Sequence, residues 1–346
     1  MSHEQSILLK NSHSVKDTVA FLSQPEIYPD STRVDVVETH MSWVFLTDRF
    51  VYKLKKPVHY DFLDFSTLEL RYAYCKEEIG INQALAGDTY VDVVPLTTKD
   101  GKLQLAGEGE AIDWLVKMKR LPQKYMLDVA IREGTVRQEG VQRAAEKLVD
   151  FYLASETVRF EPHHFRQQII KDIVANSDVL LQKEFKLQKS LILGITTDLL
   201  HFIVKHSGLI DQRIQDGRIV DGHGDLRPEH ICIAPEPMII DRVEFNGALR
   251  ILDVVEELSF LALECEMLGS PSAGKIFFDV YKLKSQDEIE DILVFFYKAK
   301  RAFLRAKLSI SHLLEKKYQR HEQKWTNRCH DYLRVADLCC KQLSKN

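Results

Sequence analysis

The sequence predicts an α+β fold with a β-rich N-terminal part and a mostly helical C-terminal part. Between residues 34 and 55, three short β-type runs are separated by breaks that are short enough for hairpins, and further β-type runs follow up to residue 118. Beyond Pro122, apolar residues recur at helical spacing almost throughout the chain. With 346 residues, 45% of them hydrophobic, the chain is long enough to bury a large core in one two-lobed unit or two domains.

The elements of the N-terminal part are predicted from local patterns. Residues 1–33 form a leader with one helix at 14–22, because Ser14 and Asp17 have the spacing of an N-cap and its acidic partner. Strands are predicted at 34–39, 43–47, 50–55, 90–96, 103–105 and 112–118. A helix follows the third strand, starting with the capping-box sequence at 66–69 and ending at Gly87. We therefore predict a β-rich domain at 34–117.

The C-terminal part, 118–346, is predicted to be a helical domain. Its helical runs lie at 140–155, 164–206, 252–268, 273–283, 286–316 and 320–343. Within it, 269–275 resembles a phosphate-binding loop. However, Ile276 stands where that motif needs Ser or Thr, and a helical run rather than a strand precedes it. We interpret this segment as a connector between two helices.

Composition narrows the function classes. The net charge of −4 argues against a nucleic-acid-binding surface, which needs a basic excess. The six cysteines form no CxxC pair, which favours reduced thiols. The N-terminus lacks the pattern of a secretion signal, and no run approaches the ~18 apolar residues of a membrane span. We therefore expect a cytoplasmic protein without nucleic-acid or membrane partners, whose oligomeric state the sequence does not indicate.

One stretch, 220–230, combines a bent backbone with a high density of charge. From His223 to His230 it carries two carboxylates, a guanidinium and two imidazoles, between apolar runs that end at Val220 and begin at Ile231. Glycines at 222 and 224 permit a sharp bend, and a plain turn needs no such charge density. Downstream, the apolar run 238–240 predicts a short buried strand that ends at Asp241. The stretch is therefore predicted to be a catalytic loop.

The sequence His-Gly-Asp-Leu-Arg-Pro-Glu-His at 223–230 resembles the catalytic loop of the protein-kinase-like superfamily. Its His-Gly-Asp opening is similar to that of the aminoglycoside phosphotransferase (APH) branch, which includes choline and fructosamine kinases. The segment 240–245 resembles the metal-binding strand end of that branch. The resemblance covers roughly residues 34–346. It implies a two-lobed protein-kinase-like fold that binds ATP with Mg²⁺ and transfers the γ-phosphate to a hydroxyl of a small molecule.

The resemblance assigns roles to the loop residues. Asp225 matches the catalytic aspartate that takes the acceptor's proton, and Arg227 matches a cation that holds the transferring phosphoryl oxygens or pairs with an acidic neighbour. His223 is expected to support the loop backbone. Asp241 matches the main Mg²⁺ ligand. His230 stands where the family has an asparagine that binds metal, and imidazole is a softer ligand than an amide oxygen. Either the second metal position is altered and favours Mn²⁺, or His230 serves the loop and one metal suffices.

Further roles follow from the resemblance outside the loop. Glu244 is open between metal assistance and a structural role, and Asp253 resembles the aspartate that braces the catalytic loop. Lys53 and Lys55 alternate onto one face of the third strand, and Lys53 matches the phosphate-binding lysine. Its ionic partner is Glu77 or Glu78, of which Glu78 fits the family spacing better.

The nucleotide contacts from the rest of the N-terminal part are less specific. No glycine-rich loop joins the first two strands; the connector 39–42 carries hydroxyls instead, of which Ser42 is the candidate phosphate contact. The adenine ring is expected against the backbone at 117–120, which makes Met118 and Arg120 candidate cofactor contacts.

The acceptor does not follow from the resemblance, and two other functions stay open. Four glutamates at 256, 257, 264 and 266 add acidity near the predicted site without identifying a substrate. A nucleotide-binding pseudokinase that acts as a scaffold is the first alternative, and His230 is the feature that favours it. A kinase that acts on protein is the second.

Overall fold

The computed structural model describes residues 13–29, 31–60, 63–315 and 319–345. The helices are α1 (Val15–Leu22), α2 (Leu68–Ala86), α3 (Leu127–Arg132), α4 (Gln138–Ala154), α5 (Pro162–Leu180), α6 (Lys189–Lys205), α7 (Ser207–Gln215), α8 (Val254–Met267), α9 (Pro271–Ser285), α10 (Asp291–Ser311) and α11 (Glu322–Leu343). The strands are β1 (Asp35–Glu38), β2 (Ser42–Leu46), β3 (Phe50–Lys55), β4 (His59–Tyr60), β5 (Leu63–Asp64), β6 (Tyr90–Lys99), β7 (Lys102–Leu105), β8 (Glu110–Lys119), β9 (Ile219–Asp221), β10 (Ile231–Cys232), β11 (Met238–Ile239) and β12 (Ile251–Asp253). The predicted α+β class is confirmed.

The chain forms two compact units, and both are discontinuous in sequence. The described residues up to Met126 join His230–Ala248 in the first unit, while Leu127–Glu229 joins the residues from Leu249 onward in the second. The first unit thus reaches Met126, whereas the sequence analysis places the end of the β-rich domain at 117. The reason is that the segment after β8 pairs with the returning chain, where the Ile233 N–H donates to the Tyr125 carbonyl at 2.7 Å.

A six-stranded antiparallel sheet builds the first unit, in the order β1-β2-β3-β8-β6-β7. Strand β3 lies between β2 and β8, so its backbone groups are paired on both edges. The leader helix α1 begins with the predicted capping box of Ser14 and Asp17, in which each side chain accepts from the other's backbone N–H. Leu22 of this helix packs against Phe45 and Leu54 of the sheet.

Helix α2 begins one residue later than the capping pattern suggested, because Thr67 is its N-cap and accepts from the Leu70 N–H. Its buried residues recur with helical spacing, among them Cys75, Glu78, Asn82 and Leu85. An amphipathic helix buries one face in this way. Two of those buried residues, Glu78 and Asn82, are polar, which indicates that this face meets hydrogen-bonding partners rather than apolar side chains alone.

The second unit is helical apart from β9 and β12, which pair with each other antiparallel. The run predicted as one helix at 164–206 is divided into α5 and α6. The run predicted from 252 begins with strand β12, after which Asp253 caps α8 through the Val255 N–H. Segment 269–275 connects α8 to α9, as interpreted from the sequence, and its last five residues form the start of α9. Gly274 of α9 packs against Ala262 of α8. Among the described residues, none of the helices has the length and hydropathy needed to cross a bilayer.

Candidate functional site

Strand β3 places two lysines on one face, and both reach the same glutamate of α2. Lys53 Nζ lies 2.9 Å from Glu78 Oε1, and Lys55 Nζ lies 2.6 Å from Glu78 Oε2. The neighbouring Glu77 is exposed, whereas Glu78 is fully buried. Between the two glutamates that the sequence left open, the geometry therefore pairs Lys53 with Glu78.

Asp241 completes this arrangement from the returning segment of the first unit. Its Oδ1 lies 2.7 Å from Lys53 Nζ, and its backbone N–H donates to the Tyr90 hydroxyl at 3.0 Å. Asp241 has a φ of 67°, in the left-handed region where non-glycine residues pay roughly 1–2 kcal/mol. The preceding Ile240 packs with buried residues of the sheet and α2. The backbone of Asp241 is thus fixed by Tyr90, while its side chain is 42% exposed and its carboxylate is accessible from solvent.

Glu244, whose role the sequence left open, pairs with the second lysine. The Lys55 ammonium group is fully buried and contacts both Glu244 and Glu78. The segment between Asp241 and Glu244 is fastened to α2, because the Arg242 N–H donates to Asn82 Oδ1 at 3.1 Å. The Arg242 guanidinium also donates to the Ile81 carbonyl at 2.7 Å. Glu244 therefore has a structural partner in this arrangement.

The charges of this cluster shift the pKa values of its members in different directions. Burial alone lowers the pKa of Lys53, but the charges of Asp241 and Glu78 outweigh it, and the pKa lies well above its ordinary value. The pKa of Lys55 is raised in the same way, by Glu244 and Glu78 against burial. Burial raises the pKa of Glu78, yet the two lysines lower it more, so that the net direction is down. At Glu244 burial dominates, and its pKa is raised.

His230 and Asp241 together provide a place for a divalent ion. His230 is buried, and its Nε2 lies 3.5 Å from Asp241 Oδ2. Within the described parts of the chain, no group of three or more His, Cys, Asp or Glu side chains is arranged to hold a metal. Mg²⁺ in nucleotide sites is commonly bound by one or two protein groups, with phosphates and water supplying the rest. The pair therefore fits an ion that arrives with a nucleotide.

The loop of the second unit is held by Glu257, one turn into α8. The backbone N–H groups of His223 and Gly224 donate to the two carboxylate oxygens of Glu257, at 2.9 and 2.6 Å. Tyr152 of α4 donates to the same carboxylate at 2.6 Å. A Cβ on Gly222 would lie 2.7 Å from Glu257 Oε2, so a larger residue there would displace this carboxylate. Burial raises the pKa of Glu257.

The bracing role that the resemblance gave to Asp253 therefore belongs to Glu257. Asp253 instead accepts from Arg213, at 2.9 and 2.8 Å, and from Tyr297. Arg213 also donates to Asp287, so one buried guanidinium joins two buried carboxylates. The sequence named Glu257 only for its acidity. Its position four residues after Asp253 puts both carboxylates on the same helical face, so the sequence alone holds no signal that separates them.

Arg227 lies between two carboxylates of the loop. Its Nε is 3.1 Å from Asp225 Oδ2, and its Nη1 is 2.6 Å from Glu229 Oε1. Burial lowers the pKa of Arg227, but the charges of Asp225 and Glu229 outweigh it and raise the pKa. The Asp225 N–H donates to His223 Nδ1 at 3.3 Å, so His223 contacts the loop backbone. The side chain of Asp225 is 36% exposed and accessible to a substrate.

The remaining candidate cofactor residues are placed by the sheet. Ser42 is buried at the start of β2, and its backbone exchanges hydrogen bonds with the Thr39 side chain. Its position therefore gives no support to a direct phosphate contact. Met118 is buried in the apolar cluster beneath β6 and β8. Arg120 follows β8 and donates to the Thr47 carbonyl at 2.6 Å. None of the three side chains forms part of the lysine–carboxylate cluster.

The chain has a protein-kinase-like fold. It is similar to the solved structure of a choline/ethanolamine kinase family protein from Mesorhizobium loti, with a TM-score of 0.51 and 14% identity, over 94% of this chain and 99% of that one. The AMP-bound complex of spectinomycin phosphotransferase is also similar, with a TM-score of 0.49 and 13% identity, over 93% and 97% of the two chains. The resemblance to the APH branch is confirmed at the level of the fold.

The sequence is also similar to proteins of two mycobacteria. Uncharacterized proteins of Mycobacterium bovis and Mycobacterium tuberculosis are 30% identical over 294 residues, which cover 81% of this chain and 55% of theirs. The chain thus spans about half the length of these relatives. No protein-family model matches the sequence.

Proposed function

We propose that the protein is an ATP-dependent phosphotransferase that moves the γ-phosphate to a hydroxyl group of a small molecule. The observation that carries this proposal is the position of Lys53, whose ammonium group lies between the buried Glu78 and the partly exposed Asp241. A lysine held by a helix glutamate beside an outward-facing carboxylate is suited to bind nucleotide phosphates next to a divalent ion. The protein-kinase-like fold supports the same class by analogy.

In the proposed reaction, Asp225 accepts the proton of the acceptor hydroxyl while the hydroxyl oxygen forms a bond to the γ-phosphorus. The bond from that phosphorus to the bridging oxygen breaks, and ADP leaves. Lys53 binds oxygens of the remaining phosphates, and Arg227 moves from its carboxylate partners to the transferring oxygens. A divalent ion, Mg²⁺ or Mn²⁺, held by Asp241 and His230, would neutralise charge on the phosphate oxygens. Ser42, Met118 and Arg120 remain candidate nucleotide contacts.

The acidity of α8 does not single out a cationic acceptor, because its glutamates already have partners within the second unit. Glu256 pairs with Lys300 and Arg301, each at 2.7 Å. Glu264 accepts from the Tyr332 hydroxyl at 2.7 Å, and Glu257 holds the loop. These carboxylates are therefore already bound by groups inside the protein. The proposal accordingly specifies a hydroxyl acceptor without requiring a positive charge on it.

We place the reaction in the cytoplasm. All six cysteines are buried free thiols, as a reducing compartment allows. That compartment also supplies the ATP that the proposed reaction consumes.

The test is phosphoryl transfer from ATP labelled on its γ-phosphate, with Mg²⁺ or Mn²⁺, in a lysate divided into protein and metabolite fractions. Label in the metabolite fraction that disappears with Asp225→Ala and with Lys53→Met supports the proposal. Nucleotide binding without turnover under either metal would favour the pseudokinase scaffold. His230 is the reason to consider this alternative, because it replaces the family's asparagine. Label confined to the protein fraction would replace the small molecule with a protein acceptor.

A further inference from the structure

The lysine–carboxylate cluster of the first unit has an exposed side and a closed side. On the exposed side, Lys53 faces Asp241, and the two side chains are 14% and 42% exposed. On the closed side, Lys55 and Glu78 are fully buried and Glu244 is 6% exposed. The proposed reaction uses only the exposed side. The closed side is therefore a buried ionic group whose presence needs its own explanation.

A buried lysine at position 55 lowers stability compared with an apolar residue. Its presence therefore suggests a role that an apolar residue could not fill. Taking an ammonium group out of water costs several kcal/mol, and replacing a buried ion pair by apolar residues is often neutral or stabilising. Glu78 already has a cationic partner in Lys53, so Lys55 is not needed to neutralise it. What Lys55 adds is a second bond, to the other oxygen of the same carboxylate.

With both oxygens bound, the Glu78 carboxylate has a fixed orientation. Oε1 faces Lys53 and Oε2 faces Lys55, so rotation about the last side-chain bond would break both contacts. Glu244 holds Lys55 from the opposite side. The backbone of Glu78 is tied as well, because the Asn82 side chain donates to its carbonyl at 2.7 Å and accepts from the Arg242 N–H. The ring of Phe65 lies 4.9 Å from Lys55 Nζ.

We infer that Lys55 and Glu244 are positioning residues, which fix the Glu78 carboxylate so that Lys53 is held ready for the phosphates of the nucleotide. This inference rests on the proposed function and extends it. The second lysine gives Glu78, and α2 with it, another bond to β3, so that the Lys53–Glu78 pair stays assembled before the nucleotide arrives. Nucleotide binding then requires no prior assembly of the pair, and removing the closed side weakens binding of the nucleotide without touching the binding of the acceptor.

The experiment compares two double variants with the wild-type protein. Lys55→Met/Glu244→Gln removes both charges of the closed side together, so neither is left buried without a partner. Lys56→Met/Glu38→Gln is the matched control, because Lys56 is the next residue of the chain and pairs with Glu38 at 2.6 Å, outside the cluster. Calorimetry with ATP and Mg²⁺ gives the nucleotide Kd, turnover gives KM for each substrate, and thermal unfolding gives Tm.

We expect the first variant to raise the Kd and KM for ATP by about tenfold, the effect of weakening one charge-assisted hydrogen bond. KM for the acceptor stays the same, and the control changes neither. A lower Tm with unchanged ATP affinity means that the pair is merely structural and overturns the inference.

If the wild-type protein binds no nucleotide, the proposed function fails, and the inference is then decided by NMR of ¹⁵N-lysine-labelled protein. We expect the Lys53 ammonium group of the wild-type protein to give a slowly exchanging signal. Loss of that signal in the Lys55→Met/Glu244→Gln variant supports the positioning role. A retained signal overturns it.

Discussion

Replacing Glu257 is expected to release the loop that carries Asp225. The carboxylate accepts three hydrogen bonds, two from backbone N–H groups of the loop and one from Tyr152. Hydrogen bonds to a charged group contribute about 1.5–3 kcal/mol each, and a buried donor left without an acceptor costs about 1–3 kcal/mol. Glu257→Ala should therefore lower the free energy of unfolding by about 3–6 kcal/mol, if the cavity takes up some water.

The series around this carboxylate gives graded effects. Tyr152→Phe removes one donor and leaves the loop contacts intact, so we expect a loss of about 1–2 kcal/mol. Glu257→Gln keeps the shape but turns an amide N–H₂ toward a donor, so its loss should lie between those of Tyr152→Phe and Glu257→Ala. Gly222→Ala disturbs the same carboxylate from the side of the loop, because its Cβ would lie 2.7 Å from Glu257 Oε2 and 3.2 Å from Leu252 Cδ1.

Urea unfolding measures the stability of each variant, and phosphoryl transfer measures its activity. Gly208→Ala is the control for the glycine change, because a Cβ at that position meets no atom within 4 Å. We expect Gly222→Ala and Glu257→Gln to reduce activity together, since both displace the loop. The reasoning is refuted if Glu257→Ala folds with wild-type stability and activity, because the three bonds would then contribute nothing.

Three further predictions concern stability. Burial raises the pKa of Glu256, but Arg301 and Lys300 lower it more, below its ordinary value of 4.5. Since its folded pKa is depressed, its stabilisation is complete above the unfolded value and is lost as pH falls through the folded pKa. Glu256→Gln should thus lower Tm at pH ~7, with a difference that shrinks below pH ~4.5; a constant difference would contradict this. Arg213→Met leaves the buried carboxylates of Asp253 and Asp287 without their shared cation. The free energy of unfolding in urea should fall by about 3–5 kcal/mol. A wild-type unfolding midpoint would show that this ionic network does not stabilise the fold. Gly274→Ala puts a Cβ 2.6 Å from Ala262 Cα and should cost about 1–3 kcal/mol by thermal unfolding; an unchanged Tm would show that α8 and α9 separate freely.

The parts of the fold that the sequence predicted well are those set by neighbouring residues. The alternation at 50–55 predicted β3 with its observed bounds, and the spacing of Ser14 and Asp17 predicted the capping box of α1. The fixed period of a strand also put Lys53 and Lys55 on one face. Strand β12 was missed because its first two residues, Ile251 and Leu252, are as apolar as the helix that follows.

The contacts that complete the site depend on residues far apart in the chain. Lys55 and Glu244 are 189 positions apart, and nothing local indicates that a strand lysine is buried. The choice between Asp253 and Glu257 could not be made either, because the two lie one helical turn apart and differ only in what faces them. Ser42 was chosen for its hydroxyl, and its burial follows from the pairing of β2, which the sequence does not reveal. Long-range pairing decides each of these cases.

The discontinuity of the first unit has a consequence for how the protein is made. Its sheet and α2 are synthesised well before Asp241 and Glu244, which reach them across 188 and 189 positions of sequence. Until that segment leaves the ribosome, Lys55 and Glu78 have only each other and Lys53 as ionic partners. The nascent sheet should therefore lack two carboxylates of the lysine–carboxylate cluster until that segment is made, and a fragment that ends at Met126 should be unable to complete the cluster.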